Sequence, residues 1–135
     1  MLRAANQNVM TSLFGRTTVL LNQATWYFGL STTAISTPAT GATFTEVAGG
    51  GYSRASYGNT GSDWTLSTDD MLNTNQITWP VASANWGTIQ AVGVFTASSG
   101  GSLIVAANIT AVAVNIYDSL YMAAGGGFKV SFQSF

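Results

Sequence analysis

The chain has 135 residues, 47% of them hydrophobic and only 7% charged, with a formal net charge of −1; the length suits one domain with a sizeable core, but an average soluble domain carries about 25% charged residues. Its four basic residues, Arg3, Arg16, Arg54 and Lys129, are scattered and form no stripe that could neutralise phosphates, which argues against binding to nucleic acid or to an anionic membrane surface. Histidine and cysteine are absent, so disulfides, thiolates, most transition-metal ligands and the commonest general bases are excluded.

In chain order, residues 1–15 place Leu2, Val9, Met10, Leu13 and Phe14 among polar neighbours and read as an N-terminal arm or a short amphipathic helix. An arm docked on a neighbouring molecule and a frayed end are both open. No apolar run follows Arg3, so the start is not a secretory signal and synthesis in the cytoplasm is expected. Residues 16–135 read as a single all-β domain. Short runs rich in Thr, Val, Ile and aromatic residues, punctuated by glycine-rich or polar turns, predict strands at 17–22, 25–31, 52–57, 63–67 and 75–79. Further runs predict strands at 87–95, 102–107, 110–116, 118–123 and 127–133.

The acids are Glu46, Asp63, Asp69, Asp70 and Asp118, and the only adjacent pair lies in STDDMLN, a turn or a capped helical start. A glycosidase needs two carboxylates flanking a groove, and calcium needs six to eight oxygens. The expected role of Asp69 and Asp70 is therefore structural. Residues 71–117 carry no charge, yet Pro80, Gly87, Gly93, Gly100 and Gly101 interrupt them below the ~18 continuous apolar residues of a membrane span. Within them, IQAVGVF and LIVAA are apolar on both parities. Such strands are covered on two sides, or belong to a sheet whose outer face meets a neighbouring subunit. GGGFK at 125–129 lacks the spacing of a phosphate loop and reads as a hairpin turn. In the last strand Phe128, Val130 and Phe132 share one face, with Lys129 and Ser131 on the other. The Asn108-Ile109-Thr110 sequon carries no weight without a signal peptide.

The four tryptophans, at 26, 64, 79 and 86, and the five tyrosines can serve a core, an interface or, by stacking on sugar rings, a glycan site, with the core the first expectation. So few charges leave the exterior to Ser, Thr, Asn, Gln and Gly, or to burial against other chains, and favour association.

TEVAGGGYSR at 45–54, WPVASANWGTIQAVGVFTASSGGSL at 79–103 and ITAVAVNIYDSLYMAAGGGFKV at 109–130 resemble a group of small virion proteins of tailed bacteriophages. Members read as T-E-x-x-G-G-G-Y-x-R, F-P-A-A-x-x-D-W-G-T-V and G-I-F-D-A-x-x-G-G-x-L, and WYFGLSTTA at 26–34 is similar to their opening Y-x-G-L-S-T-T. This chain departs at Trp79, where Phe is usual, and at Asn85 and Thr96, where Asp is usual. The resemblance implies a scaffold role for these motifs: Pro80 ends a strand, Trp86-Gly87 seals and bends the next, and Gly100-Gly101 closes a hairpin.

Together these readings predict an all-β, jelly-roll-like antiparallel β-sandwich with an N-terminal arm. The expected function is that of a capsid cement or decoration protein on the outer surface of a phage head, made in the host cytoplasm. Its expected partners are itself, as a homotrimer, and the major capsid protein. No cofactor, no metal and no catalysis are expected. The candidate contact residues are Leu2, Arg3, Val9, Met10, Leu13, Phe14, Trp79, Trp86 and Phe135. The alternative is a tail-fibre or receptor-binding module that recognises a bacterial surface glycan through exposed Trp or Tyr.

Overall fold

Residues rich in β-branched and aromatic side chains, broken every few positions by glycine, pack best on a pleated surface. The computed structural model describes residues 23–35, 44–68 and 70–131, and among them every element is a β-strand. The strands are β1 (Thr25–Ser31), β2 (Ala55–Gly58), β3 (Trp64–Ser67), β4 (Asp70–Asn73), β5 (Ile77–Thr78), β6 (Gly87–Phe95), β7 (Leu103–Val114), β8 (Tyr121–Met122) and β9 (Lys129–Ser131). All pairings are antiparallel, in a four-stranded sheet of order β2-β1-β6-β7, a three-stranded sheet β3-β4-β9 and a two-stranded ribbon β5-β8.

The large sheet buries apolar side chains on both faces. On one, Phe28 and Leu30 of β1, Tyr57 of β2, Ile89, Val92 and Val94 of β6 and Val105 and Val114 of β7 meet Ile77, Trp79, Ala82 and Trp86 of β5 and the segment after it. Trp64, Met122 and Phe128, from the smaller sheets and the approach to β9, pack against the same cluster, which makes a two-layered sandwich. Alternation along the strands sends Phe95 and Ala106 to the opposite face. There they join Phe44, with Tyr27, Ile35 and Leu103 at the margin. Thus β6 is apolar on both parities because the chain covers both of its sides, and no neighbouring subunit is needed to explain IQAVGVF.

Two glycines make that second face possible. Gly29 and Gly93 sit directly opposite each other in β1 and β6. A Cβ at Gly93 would stand 2.8 Å from both Leu103 and Phe44, and one at Gly29 2.7 Å from Phe95, so the rings occupy the volume the missing side chains leave.

Several predicted elements shift. The second strand begins at Ala55 rather than 52, because Tyr52 and Arg54 are drawn into a polar cluster described below. The predicted strands at 102–107 and 110–116 are one strand, β7, with a register shift across from Ile89 and Ala91 that absorbs the polar Asn108-Ile109-Thr110. The described residues of STDDMLN hold no helix: Ser67 pairs with Asp70 and β4 begins there. The glycines at 125–127 do not close a hairpin. They carry the chain from β8 in one sheet to β9 in another, pinned by Asn73, whose buried side chain donates to Asn75 O and Ala123 O and accepts from the N–H groups of Gly126 and Phe128. Of the last strand's expected alternation, Phe128 is half-buried against the core and Lys129 is exposed. The predicted strand at 17–22 and the arm over 1–15 lie outside the described residues.

Candidate functional site

The motif residues converge on one polar cluster. Gly49, Gly50 and Gly51 all take positive φ (73°, 60° and 74°), which turns the chain tightly enough to bring Tyr52 and Arg54 back onto Glu46. Arg54 grips Glu46 with both ends of its fork, Nε to Oε1 and Nη2 to Oε2, each at 2.7 Å. Its Nη1 donates to Ala97 O at 2.7 Å and Gly100 O at 2.8 Å, and its guanidinium lies 3.6 Å from the centre of the Phe95 ring. Tyr52 Oη donates to Glu46 Oε1 and accepts the Leu30 N–H. Burial, reinforced by the Glu46 carboxylate, pushes the Tyr52 phenol well above its ordinary range. Gly50 O accepts from both Ser83 N and Trp86 Nε1, and the Tyr52 and Trp86 rings meet edge to face at 5.4 Å.

This cluster ties the 26–34, 45–54, 79–87 and 93–103 motifs to one another. Its Arg54 side chain is only 6% exposed, and every charged group in it is satisfied from within the chain, so it holds the fold rather than presenting chemistry. The two departures that replace Asp keep an acceptor oxygen in place: Asn85 Oδ1 takes the Ile116 N–H and Thr96 Oγ1 takes the Ser102 N–H.

The other described acids also serve local structure. Asp63 accepts from the hydroxyl and the N–H of Thr60, which hold its carboxyl below the usual carboxylate range. Asp118 accepts the Asn115 N–H, and Asp70 faces Lys129 at 3.6 Å on the surface. No three acidic residues among those described could hold a metal ion together.

Two of the expected contact residues, Trp79 and Trp86, are corrected by the fold. Trp79 is 2% exposed and donates its indole N–H to Phe28 O, and Trp86 is 6% exposed. Each ring has its apolar surface in the chain's own core and its one polar atom on a carbonyl, which leaves nothing to offer a partner. Leu2, Arg3, Val9, Met10, Leu13, Phe14 and Phe135 lie outside the described residues, as does Asp69.

The exposed aromatic surface lies instead where residues 77–86 and 114–122 run antiparallel. Thr78 pairs with Tyr121, and the Trp79, Ala82 and Trp86 N–H groups donate to Leu120 O, Asp118 O and Val114 O. Alternation turns Ile77 and Trp79 inward and leaves Tyr121, 57% exposed, outward with Thr78; past Pro80 the parity changes, so Ala82 is buried and Val81 exposed. Val81, Ile116 and Tyr117 are also exposed along this ribbon. Tyr117 is the most unusual of them. It is 80% exposed and takes φ 72°, in a four-residue turn closed by the Asp118 N–H on Asn115 O. Its third position with φ near +80° is ordinarily taken by glycine or asparagine. The Tyr117 N–H donates to Ala82 O at 2.7 Å, which holds the strained turn against the ribbon.

Sequence reasoning missed this surface. NIYDSLY contains the Asn and Asp of a turn, but Tyr at the position that needs positive φ masks the signal, and the segment 118–123 reads as a strand.

A protein-family model described as "Podophage GP4 fiber I protein gp80" matches residues 2–127 of the chain. No curated protein matches it.

Proposed function

The chain belongs to the podophage GP4 fiber I protein gp80 family and is thus a phage structural protein, and from that premise we propose that it is a fibre subunit of the virion that recognises a bacterial surface glycan. The family match over residues 2–127 carries this reading. It reverses the order of the two readings drawn from the sequence, in which capsid cement came first. The fold supports it in a second way. The apolar faces of the large sheet are filled by the chain's own side chains, so the argument that those faces must bind a shell lattice loses its footing.

The role proposed is binding without a reaction. The sequence offers no histidine or cysteine, and each described carboxylate is engaged in a turn, an ion pair or the buried cluster. Self-association belongs to the same proposal, supported by the net charge of −1 and by a chain with few charges to repel a second copy.

Immunogold labelling of intact particles, together with a glycan array probed with the purified protein, tests the reading. Label on the tail or its fibres and saturable binding to a host envelope polysaccharide are expected. Label distributed over the head, with no glycan bound, returns the protein to the cement role.

A further inference from the structure

Resting on the fibre reading, we infer that the ribbon bearing Tyr117 and Tyr121 is the sugar-contacting surface, and that the glycan it takes is an uncharged one. Three observations lead there. First, Tyr117 is held 80% exposed on a backbone at φ 72°, where a glycine would sit without strain and a buried ring would be the usual fate of tyrosine. A phenol presented to solvent can stack its flat face on the apolar face of a sugar ring, and Tyr121 supplies a second ring on the same ribbon.

Second, apart from Asp118 the exposed polar side chains along these two segments are hydroxyls and amides: Thr78, Ser83, Asn85, Asn115 and Ser119. These donate to and accept from sugar hydroxyls.

Third, the charge pattern selects against acidic polysaccharides. Among the described residues the cations are Arg54, buried on Glu46, and Lys129, which faces Asp70. Residues 71–117 carry no charge at all, and the one charge on the ribbon is the carboxylate of Asp118. On the ribbon an anionic chain would meet a like charge and, among the described residues, no free cation, whereas a neutral chain is not repelled.

The test measures binding of the full chain to a neutral host polysaccharide and to an acidic one, by calorimetry, at about 0.01 M and 1 M NaCl, where the screening length falls from roughly 30 Å to 3 Å. Tyr117→Gly and Tyr121→Ala are compared with the parent, and each is also heated to its unfolding midpoint. Saturable binding to the neutral chain at both salt concentrations is expected. Tyr117→Gly should unfold no earlier than the parent while its affinity drops by up to about tenfold, which separates a lost contact from a lost fold. A preference for the acidic polysaccharide that salt abolishes overturns the neutral assignment but leaves the fibre reading standing. Neutral binding that both variants retain undiminished overturns the ribbon as the site. Variants that lose self-association and keep their glycan make the ribbon a subunit contact, which also overturns it. Failure to bind any glycan defeats the receptor reading itself, and this inference with it.

Discussion

Arg54 is enclosed by the groups it serves: two carboxylate oxygens, two carbonyls and the face of Phe95. Breaking a buried pair from one side leaves the other charge without a replacement for its lost solvation. Arg54→Ala is therefore expected to destabilise the domain by about 3 kcal/mol, seen as a lower guanidinium chloride midpoint at unchanged slope. Arg54→Lys, which keeps the charge but not the planar fork, should fall between the two. Tyr52 in the same cluster gives a pH signature. Its folded-state pKa is raised by burial, so the neutral phenol is the form the fold accepts. The associated stability is complete below the unfolded value near 10 and declines as the pH climbs above it. Denaturation midpoints followed from about pH 9 to 11 should fall, and Tyr52→Phe should flatten part of that slope. The spacing of Glu46, Tyr52 and Arg54 was visible as a motif. That Arg54 would reach across to Ala97 and Gly100 was not, because nothing local ties those positions together.

The elements divide by how local their causes are. β1 and β6 follow their predicted bounds because long runs of β-branched and aromatic residues admit no competing structure. β4 escaped notice because Asp69-Asp70 announces a turn, and only pairing with β3 and β9 makes a strand of the four residues that begin at Asp70. The turn before it holds Thr68 at φ 56°, an unfavourable place for a β-branched residue. Thr68→Gly relieves that conformation at some entropic cost in the unfolded chain, for a net gain of about 0.5–1 kcal/mol, readable as a higher thermal midpoint. The paired glycines of β1 and β6 predict the opposite. Gly93→Ala drives a methyl between Leu103 and Phe44 and should cost about 1–3 kcal/mol by overpacking, whereas Ala113→Ser at an exposed position of β7 should leave the midpoint almost unmoved.

For the whole molecule, a composition so poor in charge raised the question of what covers the surface. Among the described residues both cations face carboxylates, and the apolar interior of the large sheet is closed by the chain's own loops and smaller sheets. Self-association, as proposed, must then act through uncharged surface. Light scattering should show a species heavier than the 14.0 kDa chain whose size does not change between low and high salt. Dissociation on adding salt would point to charged contacts instead.

By itself the amino-acid sequence determined an all-β antiparallel domain and the runs that become its central strands, because β-propensity, alternation and glycine turns act over a few neighbouring residues; the resemblance to phage virion proteins rested on its motifs. Only the tertiary structure decided which aromatics are buried and which stand in solvent. Trp79 and Trp86 looked suited to a contact and are enclosed, while Tyr121, read as a strand residue, and Tyr117, between two predicted strands, stand in solvent. The physical reason is that a ring's burial depends on what packs over it, and that covering comes from segments far away along the chain.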